Sequence, residues 1–153
     1  MKKIVLISCG SKKLSIKTKA KNMYQSPLFK HSLEYAIKLN PDKIFILSAH
    51  YGLLELDTEI EPYDVTIANI SKANREKKPQ LKVLTKAEKI IWGKQIIESL
   101  SKFSDLEKDL FIVLAGLEYV KPIISNLTYL EQPLKGVGLF DRISHLKNLK
   151  NEI

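Results

Sequence analysis

The chain has 153 residues, of which 44% are hydrophobic and 27% charged, with a formal net charge of +8 at pH 7. Such a length buries roughly 68–70% of the unfolded surface, enough for a core without staples, and predicts a single domain over residues 1–153. Cys9 is the only cysteine, which excludes an intramolecular disulfide and a two-cysteine metal site and points to a reducing, cytoplasmic setting.

The N-terminal MKKIVLIS carries an apolar run of only four residues before Ser8. That is too short for a signal peptide or a membrane span, so Lys3–Ser8 is predicted as a first buried strand and no membrane partner is expected. Cys9-Gly10-Ser11-Lys12-Lys13 follows, then a stretch without hydrophobic period. Ser26 as N-cap and Pro27 at the first helical position open a helix whose apolar face is Phe29, Leu33, Ala36 and Ile37. Asn40-Pro41 ends it. Lys43–Ala49 is predicted as a second buried strand, and the acidic stretch that follows, through Thr66, as a loop.

Ser71 caps a short basic helix stopped by Pro79. Thr85-Lys86-Ala87-Glu88 is a capping box, and the helix it opens shows Ile90, Ile91, Ile97, Leu100 and Phe103 as apolar positions. A third strand is predicted at Asp109–Ala115, a helix of about ten residues after Gly116, and a fourth strand at Leu127–Leu130. A last helix near Leu139–Lys150 repeats Leu139, Ile143 and Leu146.

Alternating helices and unbroken apolar strands predict an α/β fold, a three-layer α/β/α sandwich around a short, about four-stranded, mainly parallel sheet of Rossmann-like kind. Right-handed crossovers put the C-terminal ends of the strands on one edge, where ligands of such sheets bind. Three segments should converge there: the loop after the first strand, the loop after the second, and Ala115–Tyr119, with Pro133–Gly138 as a further wall.

The first loop resembles a phosphate-binding turn. Gly10 permits a tight turn, backbone N–H groups of Cys9, Gly10 and Ser11 can face an anion, and Lys12 or Lys13 adds charge. The GxxxxGK[ST] spacing is absent. Cys9 reads either as a small core residue or as a nucleophile paired with His50. Three scattered histidines and one cysteine offer no metal set, and no cofactor is expected. In the acidic stretch Asp64 is the water-positioning candidate, with Glu61 and Thr66 beside it and Tyr51 or Tyr63 to stack on a planar ring. Ser48 and Gly52 stand where the second strand ends. Tyr24 and Ser26 precede a helix N-terminus suited to anions. Gly116 and Tyr119 follow the third strand, and Arg142 is one of only two arginines, Arg75 being the other; it is either an anion ligand or an ion-pair partner of Asp141 or Glu118. The scarcity of arginine among 25 basic residues weakens a reading of the charge as a nucleic-acid surface.

The set ISCGSKK (Ile7–Lys13), AKNMYQSPLF (Ala20–Phe29), ILSAHYGLL (Ile46–Leu54), IEPYDVT (Ile60–Thr66), LAGLEY (Leu114–Tyr119) and PLKGVGLFDRI (Pro133–Ile143) resembles small bacterial and phage proteins of largely unassigned function, described as YaaA-like or peroxide-stress-like. In that family Lys stands where this chain has His50, which argues against His50 as an essential base. The resemblance implies DNA binding and protection under oxidative stress. A second similarity, to the uracil-DNA-glycosylase type of α/β domain, rests on the Cys/Lys loop and the Tyr63-Asp64 pair, although the water-activating motif of those enzymes is missing from the first loop.

Three functions compete. In the first, a nucleotide or nucleobase site hydrolyses an N-glycosidic bond, with Lys12 and the first loop on phosphate, Tyr63 or Tyr51 on the base and Asp64 on water. In the second, a non-catalytic protein binds DNA or RNA through the lysine-rich Lys72–Lys94. In the third, the chain is a protein-interaction module of a phage or defence system.

Overall fold

The computed structural model describes residues 1–153. Its elements in chain order are β1 (Lys3–Ser8), β2 (Thr18–Lys19), α1 (Ala20–Met23), α2 (Pro27–Lys38), β3 (Lys43–Ser48), β4 (Gly52–Glu55), β5 (Glu59–Ile60), β6 (Val65–Thr66), α3 (Lys72–Lys77), β7 (Lys82–Val83), α4 (Lys86–Ser101), β8 (Leu110–Leu114), α5 (Leu117–Val120), β9 (Tyr129–Glu131) and α6 (Arg142–Asn151). Short 3₁₀ turns span Ile124–Asn126 and Leu139–Asp141.

The unbroken apolar runs become the centre of a five-stranded mixed sheet of order β4-β3-β1-β8-β9. β1 pairs in parallel with β3 and β8, and β8 in parallel with β9. Side chains alternate across the pleat. Ile4, Leu6, Phe45, Leu47, Phe111 and Val113 enter one core with Trp92, Ile96 and Leu100 of α4. Val5, Ile7, Ile46, Ile112 and Leu114 enter the other with Phe29, Tyr35 and Ala36 of α2 and Leu146 of α6. Both faces of the central strands are therefore covered, which is why these strands show no polar alternation.

Two helix starts follow their local chemistry. Ser26 Oγ accepts the Phe29 N–H at 3.3 Å, with Pro27 next to it. Thr85 and Glu88 form the full capping box, N–H to side chain in both directions. Several expectations are corrected. The strand count is five, because Gly52–Glu55 folds back as the antiparallel edge strand β4. A three-residue turn, Ala49-His50-Tyr51, joins it to β3, and Gly52 takes the positive φ of 76° that closes such a hairpin. The rest of the acidic stretch is also tied down: β5 pairs with β2, and β6 runs parallel to β7. In α4 the buried face is Trp92, Gly93, Ile96 and Leu100, whereas Ile90 and Ile91 are exposed. The helix after Gly116 is a single turn, and Leu139 lies in a 3₁₀ turn outside α6.

The connections leave β1 in one direction and β8 in the other. From β1 the chain crosses through α2 to β3; from β8 it passes through α5 to β9 on the far side. The C-terminal ends of the neighbouring strands β1 and β8 thus part company, and a crevice opens between their following loops.

Candidate active site

Two residues meet in that crevice. Cys9 follows β1 and Tyr119 lies in the turn of helix after β8, with Sγ and the phenol oxygen 3.2 Å apart. Around them opens a cavity of about 420 Å³. Cys9, Gly10, Ser11 and Lys13 form one wall, Asp64 and Thr66 another, and Tyr119 closes the base of the crevice. Sequence reasoning had placed all seven in the site. It had not found Lys78, Gln80 and Leu139, which line the same space. Lys78 arrives because β6 pairs in parallel with β7, with the Lys82 N–H on the Asp64 carbonyl at 2.8 Å. Two-residue strands leave no periodic trace in a sequence.

Lys13, not Lys12, is the lysine of this cavity. Lys12 is exposed and lines no part of it; only its backbone carbonyl is engaged, by the Gln25 N–H at 2.8 Å. The Lys13 ammonium sits 4.5 Å from the centre of the Tyr63 ring, a cation–π distance. Burial lowers its pKa from the usual lysine value, while Cys9 and Asp64 pull it the other way. Asp64 itself is exposed at the cavity mouth.

Tyr63 does not offer itself as a free stacking platform. Its ring is met by Lys13, by His50 stacked at 5.2 Å and by Tyr51 edge-on at 5.5 Å. Its hydroxyl belongs to a buried chain. Ser48 Oγ accepts the N–H groups of Tyr51 at 2.9 Å and His50 at 3.3 Å, and donates to Tyr63 Oη at 2.8 Å. Tyr63 Oη lies 2.7 Å from Tyr24 Oη. With its proton acceptor side filled by Ser48, Tyr63 donates to Tyr24. Burial, first of all, pushes the phenols of Tyr24, Tyr63 and Tyr119 well above the usual tyrosine value, so all three remain neutral donors. Ser48 is therefore an internal strut, not a ligand contact.

A second, smaller cavity of about 40 Å³ adjoins the first through Cys9 and Gly10. Ser26, Gly116 and Arg142 line it. A Cβ on Gly10 would stand 2.8 Å from Ser26 Oγ, so the first loop can approach the α2 cap only with glycine there. Arg142 forms an ion pair with neither Asp141 nor Glu118. Its Nε donates to the Val137 carbonyl at 3.2 Å, and Glu118 is occupied by Lys89 at 2.9 Å and Asn69 at 2.9 Å.

Tyr51 and Gly52 lie elsewhere, with His50, on an open groove of about 530 Å³ beside α4. Tyr51 Oη donates to the Glu61 carbonyl at 3.3 Å and accepts the Glu61 N–H at 3.1 Å, pinning the exposed Glu61 to the hairpin. His50 shares no hydrogen bond with Cys9 and lines a different cavity, so a Cys9–His50 pair is not assembled. Of the two acids of this groove, Glu88 and Glu98, Glu88 is engaged by Lys82 and the Thr85 N–H, which draw its pKa down to about 2. The crevice between β1 and β8 is the better site: it gathers a thiol, an ammonium, a carboxylate and a neutral phenol at the edge where the sheet splits.

The chain belongs to a family of unknown function, DUF6884, whose profile matches residues 4–148. That agrees with the expectation of a family of largely unassigned function. No curated protein matches the chain. No helix is long and apolar enough to cross a membrane.

Proposed function

We propose that the crevice between β1 and β8 binds a nucleobase or nucleotide and hydrolyses an N-glycosidic bond. The observation that carries this is the presence of Asp64 and Lys13 in one cavity of about 420 Å³, a volume in the usual range for small-ligand sites. In the reaction, Asp64 orients a water and offsets the positive charge that develops on the sugar carbon. Water oxygen bonds to that carbon and gives its proton to Asp64, the carbon–nitrogen bond breaks, and the base departs with the electron pair and takes up a proton from Lys13 or solvent. Lys13 and the neutral Tyr119 hydroxyl are the donors placed to stabilise the departing base. Arg142, Gly10 and Ser26 at the small cavity are the anion side of the ligand, taking over the role first given to Lys12. In this reading the architecture is a three-layer α/β/α sandwich in one domain, working in a reducing cytoplasm.

The test uses nucleoside 5′-monophosphates and oligonucleotides, with calorimetry for binding and chromatography for released base. Asp64→Asn should keep binding and lose about a hundredfold or more of turnover. Lys13→Ala should weaken binding about tenfold. Wild-type behaviour of both variants rejects the site.

One observation favours a second reading, a non-catalytic DNA-binding stress protein of the YaaA-like kind. Helix α3 is exposed along its length and carries Lys72, Arg75 and Lys77. That reading predicts polynucleotide binding that falls steeply with salt and ignores Asp64→Asn.

A further inference from the structure

The least buried large apolar side chain in the molecule is Phe140, 98% exposed. Its neighbour Leu139, 64% exposed, lines the candidate cavity. Two adjacent apolar side chains thus stand at the rim of a polar site. They are not on a loose tail. The Asp141 N–H closes their 3₁₀ turn on the Gly138 carbonyl at 2.9 Å, and the Val137 N–H bonds to the carbonyl of Leu134 at 3.1 Å. Leu134 is buried, and Arg142 holds the Val137 carbonyl from the other side. The turn is fixed, and it presents Phe140 to solvent.

The same cavity has a basic flank. Lys72, Arg75, Lys77 and Lys78 lie within one short segment against a single acid, Glu76. All are exposed, none is held in a salt bridge, and Lys78 lines the cavity. Free cations of this kind match a chain of phosphates. An apolar wedge beside a base-sized pocket matches a different task, that of filling the gap left in a stack when a nucleotide is turned out of it. A free nucleotide has no neighbour in a stack, and its phosphate does not extend along four cations. A protein partner fits less well, because two side chains offer far less than the roughly 1,000 Å² a specific protein interface needs.

We propose that the ligand of this site is a nucleotide turned out of a polynucleotide strand, with Phe140 as the wedge that takes its place in the stack and Lys72–Lys78 as the segment that follows the phosphates. This rests on the nucleobase reading of the cavity and names its substrate class. Wild type, Phe140→Ala and Phe140→Trp are compared on DNA and RNA oligonucleotides carrying 2-aminopurine, single-stranded and in duplex, with nucleoside monophosphate binding measured alongside. Wild type and Phe140→Trp should raise 2-aminopurine fluorescence as the base unstacks. Phe140→Ala should lose that rise and bind the strand about 5- to 150-fold more weakly, the range for one aromatic stacking contact, while its melting temperature and monophosphate binding stay unchanged. The DNA and RNA arms decide which strand is used. Equal fluorescence from wild type and Phe140→Ala, with monophosphate binding intact, overturns the wedge alone. A wild-type dimer in sedimentation that Phe140→Ala dissociates also overturns it, because Phe140 then seats a second copy. Absence of both monophosphate and oligonucleotide binding overturns the wedge together with the cavity reading.

Discussion

Ser48→Ala tests the buried hydroxyl chain that stands behind the site. Ser48 is fully buried at the end of β3. Its oxygen accepts from two backbone N–H groups, so its own proton has one destination, Tyr63 Oη at 2.8 Å. Removing the oxygen strands three groups, but not equally. The His50 and Tyr51 residues are exposed and water can reach their amides. Tyr63 keeps its contact with Tyr24 at 2.7 Å. What remains is close to one buried group left without a partner, about 2 kcal/mol. At about 2–4 °C per kcal/mol for a chain of this size, the melting temperature should drop by roughly 4–8 °C. Thermal and urea unfolding measure the loss, and the Tyr51 amide should exchange faster. Tyr63→Phe cuts the same chain one bond further on. Since both changes disable one network, the double variant should be only slightly less stable than the worse single one, a coupling of about 0.5–3 kcal/mol. Additive losses, or a Ser48→Ala melting temperature within about a degree of wild type, would refute the network.

Alkaline titration addresses the same phenols. The folded pKa values of Tyr24, Tyr63 and Tyr119 are raised above the unfolded value of 10.0, mainly by burial. Their contribution to stability is fully present below pH 10 and is lost as pH rises beyond it, because only the unfolded chain releases these protons there. Their absorbance change at alkaline pH should therefore coincide with loss of circular dichroism; ionisation of every tyrosine with the fold intact counts against the burial. Gly93→Ala tests the packing of α4. Its Cβ would stand 2.5 Å from both the Cβ and the carbonyl oxygen of Pro122. The overpacking cost of about 1–3 kcal/mol should outweigh the helix gain of about 1 kcal/mol, lowering the melting temperature despite better helix propensity. An unchanged or raised melting temperature would mean that α4 and Pro122 separate freely.

The sheet was legible where burial is two-sided. KIVLIS, KIFILS and LFIVL read as strands because each holds an unbroken run of four or five apolar residues, and these are the strands that carry the site. Cap chemistry at Ser26 and Thr85 was legible for an equally local reason. Two kinds of information were not. The hairpin β3–β4 depends on a turn whose key residue, Gly52, looks like any loop glycine until its φ is known. Lys12 and Lys13 are adjacent and chemically alike, and the choice between them is made by a single backbone bridge, Lys13 to Tyr24, which turns one side chain inward and leaves the other in water. The importance of Tyr63 was visible in its place beside Asp64. Its role was not, since a stacking platform and a hydrogen-bonded strut have the same sequence.

The topology accounts for the charge pattern at the site. Because β1 and β8 lead away from each other, their ends leave room that no crossover helix fills, and Cys9 and Tyr119 meet there. Asp64 and Thr66 line the same cavity, and the β6–β7 pairing brings Lys78 to it beside them. Burial keeps the Tyr119 phenol neutral, so the inner wall carries a hydroxyl without negative charge. The cation of the inner wall is Lys13, partly desolvated, and the carboxylate that shares its cavity is the exposed Asp64. For the proposed ligand, such a site sets the Lys13 ammonium and the neutral Tyr119 hydroxyl against a planar polar group, and the free lysines at the rim against the phosphates of a strand.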